Sequence, residues 1–234
     1  MVDAPLTVPG YRVVDARGQL PTRTGAAPYP PRPLADVDRI VVHYSGVDAD
    51  STPLEIAHYQ TTKQDGDLFP AIAYHFVVRQ NGETHQCHDL ATRTWHAGAE
   101  GNDHGIAVCL PMLYGPTPLQ LDATARLCRA LGDRLGRALA IVGHKDLMPT
   151  RCPGDTWPDW RQRLLAGGAR EITIGGVAVR WGFYDLYCKL EGLRPGLAGP
   201  PLGPHRPDPT GGAVQEFAAC TMAWREGRMW VSFK

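Results

Sequence analysis

Three short apolar runs constrain this chain most: RIVVHYS (39–45), GIAVCL (105–110) and AIVGHKD (140–146). Each is brief, contains β-branched residues and reads as a buried strand. Two of them deliver a histidine, His43 and His144, near the strand end. Between the second and third runs, Leu127, Leu131 and Leu135 recur every fourth residue, the apolar stripe of an amphipathic helix from Asp122 to about Leu139. In STPLEIAHYQTTKQD, Thr52 suits an N-cap and Pro53 a first helical residue, with the helix running to about Lys63. PDWRQRLL, Pro158 to Leu165, reads as a closing helix. AIAYHFVVRQNGETHQC reads as a hairpin in which Asn81-Gly82 takes the positive φ angles of a type I′ turn. Strands and helices intermixed in this way place residues up to about 168 in the α/β class.

Composition removes several kinds of partner. Lys+Arg and Asp+Glu are 24 each, so no basic excess supports nucleic-acid binding or a general attraction to anionic membranes. An apolar fraction of 43% suffices for a packed core. The apolar runs are too short for insertion into a bilayer. MVDAPLTVPGYRVVD has no basic, apolar leader pattern, so we expect synthesis in the cytoplasm. The six cysteines are scattered without a tight framework and read as reduced thiols.

Two segments differ from the α/β part. Residues 1–36 hold seven prolines and read as an extended arm packed on the domain. From Gly192 to Gly212, twelve of twenty-one residues are Gly or Pro, and we place a boundary near Gly168. The expected organisation is therefore an arm (1–36), a catalytic domain (37–168) and a small module (171–234).

The chemistry concentrates in GHKDLMPTRCPGD, Gly143 to Asp155. Pro149 and Pro153 forbid a continuous helix, so this is a loop. A catalytic zinc site takes three protein ligands and keeps one position open. His43, His144 and Cys152 suit that task, two at strand ends and one in the adjoining loop. A lone strand-end histidine is more often structural, and a rival cluster exists at His85, Cys87 and His88. Strand alternation puts His85 and Cys87 on one face and His88 on the other, which makes three convergent ligands hard to build. A structural zinc site would want a fourth ligand, for which His75 is the nearby candidate, although beside Tyr74 it should face away.

VVHYSG, FPAIAYHFVVRQNGETHQCHDLATRTWHAG, NDHGIAVCL and GHKDLMPTRCPGD, in that order, resemble the zinc-dependent N-acetylmuramoyl-L-alanine amidases of the peptidoglycan-recognition and phage-lysozyme type. The resemblance covers about Tyr11 to Leu165. It implies a central mixed β-sheet flanked by helices, with a zinc groove on one face. It implies one zinc per chain, held by His43, His144 and Cys152. It implies an active-site tyrosine at Tyr74 and a catalytic-loop position at Thr150, where active relatives carry lysine or threonine. Trp95, His96 and Asn102 match groove positions that touch substrate in relatives. His104 stands where the family more often has a small hydroxyl residue. The activity implied is hydrolysis of the amide between N-acetylmuramic acid and L-alanine in peptidoglycan, in an endolysin of a phage or prophage that acts on the wall after release. The alternative is a non-catalytic peptidoglycan-binding protein; retention of Cys152 and Tyr74 favours the enzyme. Of the loop charges, Lys145 reads as solvated.

The tail, WGFYDLYCKLEGLRPGLAGPPLGP followed by GGAVQEFAACTMAWREGRMWV, resembles one repeat of the LGFP type found in cell-wall-associated proteins. Trp181, Tyr184, Phe217, Trp224 and Trp230 are its aromatics, suited either to stacking on sugars or to forming the module's own core.

Overall fold

The computed structural model describes residues 4–8, 10–47, 49–62, 69–165, 171–180, 183, 186–187, 190–191, 194, 196–207, 213–225 and 228–234. The elements of the α/β part are β1 (Val13–Asp15), β2 (Arg39–Tyr44), α1 (Pro53–Thr62), β3 (Phe76–Val78), β4 (Thr84–Gln86), α2 (Gly98–His104), β5 (Gly105–Leu110), α3 (Pro118–Leu135), β6 (Ala140–Gly143) and α4 (Trp157–Leu165). The six strands form one sheet in the order β1-β4-β3-β5-β2-β6. It is mixed. The pairs β2/β5, β2/β6, β3/β5 and β1/β4 are parallel, whereas the hairpin pair β3/β4 is antiparallel.

Side-chain alternation divides the two faces. Ile40, Val42, Phe76, Val78, Ile106 and Val108 point to one side and join Leu121, Leu127 and Leu131 of α3 and Trp157, Trp160 and Leu164 of α4 in the main core. Val77 and Cys109 point to the other and pack with Ile56 and Ala57 of α1. His43 is in register with Cys109, so the same alternation puts the histidine on the α1 face. The apolar strand thereby positions a polar side chain away from the α3 core without interrupting it.

Local chemistry explains the helix ends. Thr52 caps α1 through Glu55, whose backbone N–H donates to Thr52 Oγ1 at 3.2 Å while the Thr52 N–H donates to Glu55 Oε2 at 2.7 Å, a reciprocal capping box. The helix is described to Thr62, and Lys63 lies outside the described residues. The helix expected from Asp122 begins at Pro118 and ends at Leu135. Its start is fixed by a Thr117–Gln120 capping box and its end by left-handed Gly136, neither of which an apolar stripe reports.

Two further expectations are corrected. The hairpin is not closed by Asn81-Gly82 as a central pair. The Gly82 N–H donates to the Arg79 carbonyl at 2.9 Å, so the turn spans Arg79–Gly82, with Gly82 at φ 85° closing it. Asn81 Oδ1 instead accepts the Glu83 N–H. Tyr74 precedes the strand, which begins at Phe76. The arm is also more structured than its prolines suggest, because its VVD segment adds β1 to the sheet edge and Leu6, Val8 and Tyr11 enter the core.

Beyond Leu165 the described strands are β7 (Glu171–Ile174), β8 (Val177–Arg180), β9 (Arg206–Pro207), β10 (Ala213–Glu216), β11 (Cys220–Arg225) and β12 (Arg228–Phe233). β7 and β8 form a hairpin, and the others form a separate sheet in the order β12-β11-β10-β9. The buried Glu191 carboxylate accepts the backbone N–H groups of Gly196, Ala198 and Gly199, organising the glycine-rich turn. Phe183, Tyr187, Leu190, Phe217 and Met222 are buried in a cluster continuous with the main core. Gly168, Trp181, Tyr184 and Cys188 lie outside the described residues. The five cysteines that are described are free thiols.

Candidate metal centre

Parallel strands β2 and β6 lie side by side, with Val42 opposite Gly143. The next residue on each is a histidine, so His43 and His144 emerge together at the carboxyl ends of the strands, where open α/β sheets bind ligands. Their ring centroids are 4.7 Å apart. Past Gly143 the chain leaves the sheet in a short 3-10 turn, His144–Asp146, and returns through the loop that carries Cys152. Donor atoms of His43, His144 and Cys152 all lie within 4.8 Å of one another, the one such group of three among the described residues.

Several bonds hold this arrangement. The Lys145 N–H donates to the Cys152 carbonyl at 2.7 Å, and Lys145 Nζ reaches the Gly154 carbonyl at 3.2 Å. Lys145 is therefore a loop clamp rather than a solvated charge. Asp146 Oδ2 accepts from the Gly143 N–H at 2.7 Å and from Trp157 Nε1 at 2.9 Å, tying the end of β6 to α4. Gly143 has to be glycine here, because a Cβ would stand 2.7 Å from Trp157 Nε1 and 2.9 Å from Pro153 Cδ. The Tyr44 N–H points at Cys152 Sγ at 3.4 Å, and the Thr150 hydroxyl accepts the Cys152 N–H at 3.3 Å.

The donor set fits zinc. His43 Nδ1 is 3.6 Å from Cys152 Sγ, close to the edge of about 3.5 Å that a tetrahedral ion with bonds of about 2.0–2.3 Å requires. His144 Nε2 is buried with no hydrogen-bond partner among the described residues. Burial, with His96 and His144 nearby, holds His43 well below the usual histidine range, and burial lowers His144 as well, so both rings favour the neutral form that ligates. Burial pushes the Cys152 thiol up to about 11, partly offset by the Tyr44 N–H. A cation is what would favour its thiolate.

Tyr74 lies beside this group, its ring 5.2 Å from that of His43. Burial raises its hydroxyl well above the usual phenol range, with Cys109 and Cys152 acting in the same direction. It therefore stays protonated and able to donate. Gln60 of α1 steadies the segment by accepting the Ala73 N–H at 2.8 Å.

The remaining expected positions divide. Trp95 is 42% exposed and stacks edge-on against Tyr29. His96 and Asn102 are buried beneath the surface. Asn102 Oδ1 accepts the N–H groups of His96 and Ala97, so this amide organises the loop instead of facing a groove. His96 meets His43, with Nδ1 3.0 Å from His43 Nε2. His104 sits at the opposite end of β5, bonded to the Asp36 carbonyl. The rival cluster does not converge: His85 pairs with Glu83, His88 bonds the Ile72 carbonyl, and Cys87 is buried against His85 O. His75 is no fourth ligand. Its Nδ1 accepts the Ala107 N–H at 3.0 Å and its Nε2 faces the Thr92 carbonyl at 2.8 Å. Sequence reasoning missed both the His96–His43 contact and Cys109, which the β2/β5 register puts beside His43; the register follows from the two apolar runs, whereas nothing in WHAG reveals a ring direction.

The family model for N-acetylmuramoyl-L-alanine amidase, Amidase_2, matches residues 33–155, which contain all three donors and Tyr74. An N-acetylmuramoyl-L-alanine amidase of Sus scrofa is 29% identical over 178 residues, covering 64% of this chain and 29% of that protein. The chain thus spans less than a third of the length of that curated relative. The Ph2119 endolysin from Thermus scotoductus MAT2119 bacteriophage Ph2119 has a similar fold, with a TM-score of 0.53 and 21% identity over 68% of this chain and all of that one. Drosophila peptidoglycan recognition protein SD gives a TM-score of 0.51 and 19% identity, over 62% of this chain and 90% of that one. At these identities the likeness to the solved structures is one of fold.

Proposed function

The chain belongs to the N-acetylmuramoyl-L-alanine amidase family, and from that premise we propose that it is a zinc-dependent enzyme cleaving the amide between the lactyl group of N-acetylmuramic acid and L-alanine in peptidoglycan. The observation that carries the reading is the convergence of His43, His144 and Cys152 at the carboxyl ends of β2 and β6, with Tyr74 alongside.

His43, His144 and Cys152 would hold one zinc ion per chain. When bound, zinc supplies Lewis acidity, polarising a carbonyl oxygen and acidifying a water. Three ligands from the protein leave the open position that such catalysis requires. The protonated Tyr74 hydroxyl donates a hydrogen bond to the oxygen on which charge develops as the amide carbon becomes tetrahedral, a contribution typically worth about 100- to 1000-fold in rate. Thr150 acts through the loop, its hydroxyl fixing the backbone of Cys152. Trp95, the exposed member of the expected groove residues, is the one suited to contact substrate.

We read the biological role as that of an endolysin, a reading supported by the fold shared with a bacteriophage endolysin. Among the described residues no helix is long and apolar enough to cross a membrane. We assign residues 37–168 to catalysis, with the arm 1–36 packed on them, and 171–234 to wall binding. In the tail, Phe217 is fully buried and belongs to the core, while Trp230 is 59% exposed on edge strand β12 and available for a sugar face.

The test is digestion of purified cell walls followed by end-group analysis. The proposal expects new L-alanine amino termini without new reducing sugars. Reducing ends without amino termini would indicate a glycosidase, and tight wall binding by zinc-loaded protein without any new end group would indicate a recognition protein.

A further inference from the structure

We propose that His96 is a positioning residue for the metal centre. Its Nδ1 takes a hydrogen bond from His43 Nε2 and so fixes the tautomer and ring plane in which His43 presents Nδ1 beside Cys152. The inference rests on the metal reading above and concerns a residue that the sequence placed on a substrate groove.

The geometry is directional. His43 Nδ1 faces Cys152 Sγ at 3.6 Å, and His43 Nε2 faces His96 Nδ1 at 3.0 Å. An imidazole that ligates through one nitrogen carries its proton on the other, and that proton needs an acceptor. The usual acceptors are a carboxylate, a backbone carbonyl or water. Here the acceptor facing it is a second imidazole. To accept at Nδ1, a neutral His96 carries its own proton on Nε2. The two ring planes are nearly perpendicular, at 82° with centroids 5.1 Å apart, and the rings meet edge to edge, nitrogen facing nitrogen.

The surroundings hold His96 in that pose. Asn102 Oδ1 accepts the His96 and Ala97 N–H groups at 2.7 and 2.9 Å, and the Asn102 carbonyl accepts from buried Arg32 at 2.6 Å. Gly105 leaves room for the ring, because a Cβ there would stand 3.3 Å from His96 Cε1 and 2.6 Å from both the Gly101 carbonyl and Val41 Cγ2. At 8% exposure His96 has little surface to offer a substrate. A neutral acceptor also orients His43 without adding a negative charge next to the Cys152 thiolate.

The test compares His96→Leu with His96→Gln, since glutamine keeps an acceptor oxygen. Zinc affinity is measured by chelator competition, and melting of the metal-free protein is followed alongside. The expected result is a fall in zinc affinity of about 10- to 100-fold for His96→Leu, largely restored in His96→Gln, with little difference between their metal-free melting temperatures. A wild-type zinc affinity in His96→Leu overturns the proposal. Should that variant not fold, nitrogen-15 imidazole spectra of the zinc-loaded wild-type protein decide instead. They should show His43 metallated at Nδ1 and protonated at Nε2, with His96 unprotonated at Nδ1; metallation of His43 at Nε2 or a proton on His96 Nδ1 overturns it. A wild-type protein that binds no zinc sinks the metal reading and this role together, whereas a zinc-binding wild type beside an unaffected His96→Leu sinks this role alone.

Discussion

The backbone N–H of Lys145 donates to the carbonyl of Cys152 at 2.7 Å, and this bond closes the loop that turns Cys152 back toward His144. The pairing lets one short segment supply two of the three donors. Prolines alone would not do so, because they restrict the backbone without saying which residues meet.

Asp146 braces the start of the same loop, so Asp146→Ala should be felt in two measurements. It leaves the Gly143 N–H and Trp157 Nε1, both on buried residues, without their acceptor. Because Asp146 is itself exposed, water can take over part of its role, and the loss is that of ordinary hydrogen bonds, about 0.5–1.5 kcal/mol. Denaturant unfolding of the metal-free variant should show a loss in that range, and zinc titration should show weaker binding because His144 is less well placed. Unchanged stability and unchanged affinity would mean that the loop is held by other contacts.

Metal content is the broadest check on the centre. The protein as purified should carry about one zinc per chain, as the one three-donor group among the described residues implies. Chelation should abolish hydrolysis of muropeptides and added zinc should restore it. Persistent cleavage by protein shown to be metal-free would remove the mechanism.

Cys152→Ser and Tyr74→Phe should separate binding from turnover. A hydroxyl is a far poorer zinc ligand than a thiolate, so the first variant should lose metal. The second removes only a hydroxyl that lies off the donor set; it should keep zinc at wild-type affinity and lose about 100- to 1000-fold in rate. Two variants that both bind zinc and turn over at the wild-type rate would show that these positions do not carry the roles proposed.

Much of this was legible because strand periodicity is a strong signal. RIVVHYS alternates so that Ile40 and Val42 face α3 while His43 faces α1, and the apolar runs carry that information in themselves. The ends of α3 were not legible from its leucines, since the stripe records which residues face the core whereas Thr117, Gln120 and Gly136 set where the helix begins and ends. α2 gave no signal at all: GAEGNDH has two glycines and no apolar face, so its helix depends on tertiary context. The destination of His96 was hidden for a different reason. Its partner is 53 positions away in the sequence, and the direction of the ring depends on Asn102 and Gly105, which local pattern does not connect to it.

Gly105→Ala tests that dependence on space. The added Cβ would stand 2.6 Å from the Gly101 carbonyl and from Val41 Cγ2, closer than packed atoms approach. Overpacking of this kind costs about 1–3 kcal/mol. The variant should melt lower, and its zinc affinity should fall because His96 is displaced. Wild-type stability would show that α2 can shift freely to make room.

The tail offers a test in which two roles give different patterns. A chain ending near Gly168 keeps every residue of the family match and all three donors, so it should fold, bind zinc and cleave small soluble muropeptides. If residues 171–234 anchor the enzyme, its sedimentation with walls and its lysis of intact walls should fall while the soluble rate holds, because tethering raises local substrate concentration without altering the chemical step. The continuity of Phe183, Tyr187 and Phe217 with the main core predicts a modest drop in melting temperature as well. A tail that only covers apolar surface would give another result: stability and both activities would fall together, with wall binding unchanged in the protein that remains folded. Melting temperature, soluble rate and wall sedimentation measured on the same truncation distinguish the two, and equal sedimentation with and without the tail excludes the anchoring role.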